Sequence, residues 1–439
     1  MFARMGMGIL ALLWTTTLTA GSDLTPFSTP ARVADEVLIT FAPDVGPAEQ
    51  EELLAERGAV IVRRYRSVNG VLARMTESPL FLQSVSLLAE DNRIRRVAPN
   101  RLIHLLGRPD DPRRTNQYQH DLIEAEKAWD IATGSRDVVV AVIDSGIALD
   151  HEDLADNIWT NPGESGKDAA GRDKRSNGVD DDGNGYVDDY RGWDFVGDDN
   201  DPTDGMGHGT HCAGTIGAAG DNGVGIAGIN WQVSLVALRI FDDRGRPAEE
   251  GDVLAALEYA NTMKFPIVSN SWGGAAEPET EFGAGTGDLM YEMIRKGEEN
   301  GALWVFASGN AGTNNDATPV LPAGYDLDHI IAVGASTSRD ALAGFSNYGA
   351  RTVDLMAPGD RIYSTNVRSL FGGGYARMSG TSMAAPVVTG AAALLLSTDP
   401  TLSGLEIKAQ LIRTVDPVRS VRGKLLSGGR LNLYRALTE

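Results

Sequence analysis

Cysteine is nearly absent from this chain of 439 residues. Cys212 is the single one, so no intramolecular disulfide can form. That fits a cytosolic protein, and it equally fits an exported bacterial protein held together by metal ions. Positive charge is also short: 39 Lys and Arg face 60 Asp and Glu, a formal net charge of −21. Such a balance argues against nucleic acid or an anionic membrane surface as partner. Beyond the N-terminus no segment approaches the continuous apolar length of a membrane span, and none is expected. Internal repeats and low-complexity tracts are missing, apart from one Asp-rich stretch. What remains is globular in composition, with 42% apolar residues, 23% charged residues and 51 Gly, and long enough for two or more domains.

The charge is unevenly spread. Residues 23–105 hold 10 Lys and Arg against 11 Asp and Glu, so nearly all of the −21 lies after Leu105. Three blocks follow. Residues 1–21 carry Arg4, then the short apolar run MGILALLW, then TTTLTAGS, which is the layout of a secretory signal cut near Ala20 or Gly21. A secreted protein, extracellular or periplasmic, is therefore expected. Residues 22–106 read as strand (EVLITF), helix (PAEQEELLAERG, ended by Gly58), two strands around Ser67–Gly70, a helix opening at Ser78–Pro79, and a last strand (RRVAPNRLIHL). That order is a small ferredoxin-like α+β domain. The Pro-, Arg- and Asp-rich GRPDDPRRTNQ reads as an exposed linker into residues 107–439. This large block alternates apolar strands (DVVVAVIDSG, VSLVALRIF, PIVSNSWG, ALWVFASGN, IIAVGAS) with helices, two of them rich in small residues. The pattern specifies an α/β domain with a parallel sheet covered by helices on both faces. Strand ends carrying Asp, Asn and Gly are where such sheets bind ligands.

Three separated motifs carry chemistry. Asp144 closes a strand in VAVIDSG, His208 opens a helix in GMGHGTHCAG, and Ser382 opens another in SGTSMAAP. A serine hydroxyl is a weak nucleophile until an imidazole takes its proton. The imidazole in turn needs a carboxylate to fix its tautomer and stabilise its charge. The chain order Asp, His, Ser is that of subtilisin. Together these motifs resemble the subtilisin-like serine proteases, the subtilases, over roughly Asp111 to Leu433. The preceding small block is similar to that family's inhibitor-type propeptide.

The resemblance implies a prepro-form of a serine endopeptidase acting on polypeptide substrates as a monomer, with its own propeptide as intramolecular inhibitor and self-cleavage between about His104 and Asp111. It implies that Asn310 in VFASGNAG donates to the oxyanion hole. It implies that Ser271, Trp272 and Gly273 pair with extended substrate, with Asp243 and Gly245 in a second such segment. Ser308, Gly309 and Val320 would line an apolar specificity pocket. Oxidation of Met383 would lower activity. His211 reads as a structural neighbour and not a zinc ligand, because HxxH lacks the Glu of HExxH. Cys212 reads as a small buried apolar residue, with a reactive thiol as the alternative. Two other functions stay open: a catalytically degenerate calcium-binding module, and a dedicated processing protease.

Calcium is the expected cofactor. NGVDDDGNGYVDD offers Asp180, Asp182 and Asn184 at loop positions 1, 3 and 5, Gly185 at 6, the Tyr186 carbonyl at 7 and Asp188 at 9, the oxygen ligands and sharp turn that calcium needs. Position 12 is Arg191 in place of the bidentate Glu, and no amphipathic helix flanks the loop. It reads as a structural loop site and not a sensor. The resemblance implies a second site from Asp153, the side chain of Asn222 and the carbonyls of Val224 and Ile226, with Asp111 as a further ligand.

Overall fold

A computed structural model describes residues 32–75, 88, 91–101, 108–275, 289–367 and 374–439. The signal segment, most of the helix expected after Ser78, and residues 102–107 around the expected self-cleavage region lie outside the described residues.

The small block is an antiparallel sheet with one helix described across it. Strand β1 (Arg32–Phe41) is followed by α1 (Pro47–Glu56), β2 (Ala59–Tyr65), β3 (Gly70–Met75) and β4 (Ile94–Arg101). The strand order is β2-β3-β1-β4. Pro47 starts α1, where its missing N–H is not needed. Gly58 follows the end at φ 67 and donates to the Ala55 carbonyl at 3.1 Å. Pro99 is tolerated in β4 because that strand is at the sheet edge. Val37, Ile39, Phe41, Leu53, Leu54, Val71, Ala73 and Leu88 make its core.

The large block is built on strands β5 (Gly134–Asp144), β6 (Gly192–Asp194), β7 (Gln232–Arg239), β8 (Ile267–Asn270), β9 (Leu303–Ala307), β10 (Ile330–Ser336), β11 (Leu355–Pro358), β12 (Asp416–Pro417) and β13 (Gly429–Arg430). They lie in the order β12-β13-β11-β10-β9-β8-β5-β7-β6, parallel throughout except for β12 against β13. Alternation along a strand feeds two cores. From β5, Val140 and Val142 join one, Ala141 and Ile143 the other. Helices α2 (His208–Gly217) and α5 (Thr381–Thr398) pack in the first core, and α3 (Glu250–Thr262) and α4 (Leu289–Glu299) in the second. Asn230 Nδ2 ties α2 to α5 by donating to the carbonyls of Ile216 and Gly390 at 3.1 and 2.9 Å.

By length and composition α5 is apolar enough to cross a membrane, but 83% of it is buried inside the protein. It is a core helix. The segment expected as an exposed linker differs from expectation. Asp111 and Arg114 are both buried, and the terminal nitrogens of the Arg114 guanidinium donate to Asp121, Glu126 and the Gln117 carbonyl. Its composition signals irregular backbone, but Asp111 and Arg114 turn inward while Arg108, Asp110 and Pro112 stay exposed. The succession of strands across the sheet reverses beside β5, with β7 and β6 on one flank and β8 to β11 on the other. The crevice at the carboxyl ends of these strands is where a ligand fits.

Candidate active site

Asp144 is the last residue of β5 and is 1% exposed. Helix α2 begins at His208, and it can approach β5 closely because Gly209 has no side chain. A Cβ there would fall 2.2 Å from the Gly146 carbonyl oxygen and 3.1 Å from Asp144 Cβ. The result is a hydrogen bond of 2.7 Å between His208 Nδ1 and Asp144 Oδ1. The Asp144 carboxylate holds the imidazole above its ordinary value of 6.5, partly offset by burial, with a smaller push from Asp204.

Asp204 lies outside the three sequence motifs. It is buried and accepts from the N–H groups of Met206, Gly207 and Thr210, from Thr210 Oγ1, and from Ser145 Oγ at 3.0 Å. Ser145 Oγ in turn accepts from Gly209 N. This network fixes the first turn of α2 against the end of β5. An Asp ahead of a helix start is a capping signal, but here Gly207 occupies the cap position itself. His211 bonds the Ile362 carbonyl through Nε2, and burial pushes its imidazole down to about 4, so it is a neutral structural residue.

Ser382 is the second residue of α5. Its hydroxyl donates to the Ser271 carbonyl at 3.0 Å, and Ser271 Oγ donates back to the Ser382 carbonyl at 2.9 Å. The hydroxyl proton must therefore be re-aimed before an imidazole can take it. Cys212, one turn along α2 from His208, links the two sides. Its Sγ lies 3.4 Å from the Ser382 carbonyl oxygen. The same sulfur, a His208 ring nitrogen and an Asp144 oxygen all fall within 4.8 Å of one another. Burial raises the Cys212 thiol well above its ordinary range, so it stays protonated.

Asn310 follows β9. Its side-chain oxygen accepts from Thr381 N at 2.8 Å and Thr381 Oγ1 at 3.0 Å. A backbone N–H can only donate, so the atom facing it must be Oδ1 and the amide NH₂ points the other way. A Cβ built on Gly380 would lie 3.5 Å from Ser382 N and 3.6 Å from Asn310 Nδ2. Two N–H donors thus border one small space that glycine leaves open. Such a pair suits an oxygen gaining negative charge.

The expected substrate segments gather near this point. Gly274–Ala275 pairs antiparallel with Val320–Leu321. A Cβ on Gly273 would stand 3.5 Å from Val320 Cγ1, and one on Gly309 3.4 Å from Val320 Cγ2, so the three residues converge. Trp272 packs edge-on against Phe306 at 5.8 Å, and buried Ser308 places its Oγ 3.4 Å from the Asn347 carbonyl. The segment with Asp243 and Gly245 lies against Met206, just before His208. A Gly245 Cβ would be 3.4 Å from Met206 Cε, while Asp243 pairs with Arg239 at 2.9 Å.

The acidic residues form two groups. Asp153, fully buried, accepts from Asn222 Nδ2 at 3.1 Å and Ile226 N at 2.8 Å, and burial pushes its carboxyl up to about 7. Val224 N donates to Asn222 Oδ1 at 2.7 Å. Asp111 reaches the same loop through Asp221 N at 2.8 Å, and its other oxygen is buried without a hydrogen-bond partner. An orphaned carboxylate oxygen beside a second buried carboxylate fits a hard cation. In the Asp-rich loop, Asp180 and Asp182 approach Glu164. The Asn184 and Asp188 side chains make other contacts, Asn184 with Asp189 and Tyr186 N, Asp188 with Gly178 N.

The family model described as the subtilase family matches residues 135–433. Thermitase of Thermoactinomyces vulgaris is 34% identical over 330 residues, covering 75% of this chain and 99% of thermitase. The thermophilic serine proteinase of Bacillus sp. (strain AK1) is 32% identical over 412 residues, covering 93% of this chain and 88% of that protein. Among solved structures, a protease from Pseudoalteromonas arctica matches with a TM-score of 0.58 and 26% identity, covering 75% of this chain and 99% of that one.

Proposed function

The chain belongs to the subtilase family and is a serine endopeptidase that cuts polypeptides, and from that premise we propose that Asp144, His208 and Ser382 are its catalytic triad and Asn310 its oxyanion donor. Asp144 fixes the Nδ1–H tautomer of His208. His208 Nε2 takes the proton of Ser382 as Oγ attacks the peptide carbonyl. The developing oxyanion is held by Asn310 Nδ2 and Ser382 N. His208 then delivers the proton to the leaving amine, and water repeats the sequence on the acyl-enzyme. The observation that supports this most directly is the pair of donors bordering the space over Gly380, on the helix start that carries Ser382. A fluorophosphonate probe tests it. Wild-type mature enzyme labels on Ser382 and Ser382→Ala does not, whereas an unlabelled wild type indicates a degenerate binding module.

The precursor reading goes with it. Residues 1–21 are a secretion signal, 22–106 a propeptide that templates folding and blocks the cleft, and 107–439 the catalytic domain. The similarity to the strain AK1 proteinase spans 412 residues, more than the large block alone can supply, so the small block shares in it. Ser382→Ala should then leave an uncut chain, and maturation at the normal rate would refute self-processing. Calcium, when bound, would supply positive charge that ties acidic segments together. Asp111, Asp153, Asn222 and the carbonyls of Val224 and Ile226 would hold one ion, and the loop of Asp180, Asp182, Asn184, Tyr186 and Asp188 would hold another.

A further inference from the structure

We infer that the cation of the Asp-rich loop is held from outside the loop as well, with Glu164 supplying the carboxylate that the loop lacks at its twelfth position. This rests on the calcium reading of that loop. Position 12 counted from Asp180 is Arg191, so the loop by itself cannot close around an ion in the usual way. Glu164 comes from the preceding segment and is fully buried. Its Oε1 accepts from Asp181 N at 2.7 Å, while Oε2 is buried with no hydrogen-bond partner. A buried carboxylate oxygen without a donor is costly unless a cation meets it.

The distances fit one ion. Two oxygens bound to the same calcium at about 2.4 Å can be at most about 4.8 Å apart. Ligand oxygens of Glu164, Asp180 and Asp182 all lie within 4.8 Å of one another. The neighbouring Lys174 goes elsewhere, to Asp181 at 3.9 Å and to the Gly163 carbonyl at 3.0 Å. The donor set is all oxygen, which selects a hard divalent cation over zinc.

The segment carrying Glu164 is built against the loop. Asn161 Nδ2 donates to Asp182 at 2.9 Å and to Asp189 at 2.7 Å, and Asn161 Oδ1 accepts from Gly163 N. A Cβ on Gly163 would fall 2.4 Å from Asp182 Oδ2, so the Gly163 backbone packs directly on the Asp182 side chain. The ion therefore joins residues 161–164 to residues 180–189.

The test uses the full chain carrying Ser382→Ala, which prevents self-digestion, with calcium titration calorimetry and melting in calcium and in EGTA. Two sites are expected in this parent. Glu164→Gln should weaken one site by about tenfold or more, since affinity follows ligand charge count, and leave the site lost in Asp153→Asn untouched. The melting temperatures should also cross. Glu164→Gln melts above the parent in EGTA, because a buried unpaired charge is gone, and below it in calcium. Unchanged stoichiometry and affinity in Glu164→Gln, with loss in Asp180→Asn, would overturn the role of Glu164 while leaving the loop site standing. One site in the parent, lost only in Asp153→Asn, would overturn the loop reading itself. If Glu164→Gln does not fold, Glu164→Asp shortens the reach at constant charge and must still weaken that one site.

Discussion

His208 Nδ1 lies 2.7 Å from Asp144 Oδ1, and that carboxylate is the largest cause of the raised imidazole pKa. The sign decides the pH profile. Asp144 favours the imidazolium, and catalysis needs the neutral base, so kcat/KM should rise with pH through a value above the ordinary 6.5. Asp144→Asn removes the negative charge and favours the wrong tautomer. The rate should fall by about 10⁴, and the acid limb of the residual activity should move to lower pH. A kcat/KM profile that keeps its limb in Asp144→Asn would break the assignment.

The space over Gly380 makes a second prediction. Asn310→Ala should cost on the order of 10²–10³ in kcat with little change in KM, as for loss of one oxyanion donor. Gly380→Ala should be comparably damaging without unfolding the protein. The backbone there is extended, at φ 163 and ψ 162, and accepts a side chain. Its methyl would sit between Ser382 N and Asn310 Nδ2. Steady-state kinetics together with a melting curve separate the two effects, and full activity in Gly380→Ala would show that this space is not used.

How much of this was legible in the sequence depended on whether a signal is local. Strand β5 reads directly, since a strand covered on both faces is a near-continuous apolar run. Strand β6 does not, because its three residues sit inside the Asp-rich stretch and pair only by tertiary position. Strand β11 is four residues ending in Pro358, too short for a period. His208, Ser382 and Asn310 stand out through the glycines and small residues that close packing demands. Glu164 stays hidden because Asp180 and Asp182 reach it only through folding, and for Asp204 the one distant partner, Ser145, likewise arrives only through folding. Composition made residues 108–117 look exposed, and it carries no information on which way Asp111 and Arg114 turn.

Cys212 offers a cleaner contrast between burial and reactivity. Its thiol is fully buried, held in the protonated form by burial and then by Asp144. Thiolate is the reactive form, so iodoacetamide at pH 8 should leave the native protein almost unlabelled and modify it fully in denaturant. Rapid native labelling would mean an accessible thiolate beside Ser382, contrary to this packing.

Calcium removal should act on stability before chemistry. Asp111 and Asp153 are buried in one loop system, and Asp111 keeps an oxygen with no hydrogen-bond partner. A ligand that binds only the folded state stabilises it by about 2.7 kcal/mol at a hundredfold excess over Kd. For a domain of this size that corresponds to several degrees in Tm. EGTA should therefore lower the melting temperature of the Ser382→Ala chain, and calcium should restore it. Asp153→Asn should lose part of that calcium response and keep the part owed to the Asp-rich loop. Identical melting with and without chelator in the parent would mean that these carboxylates are satisfied without an ion.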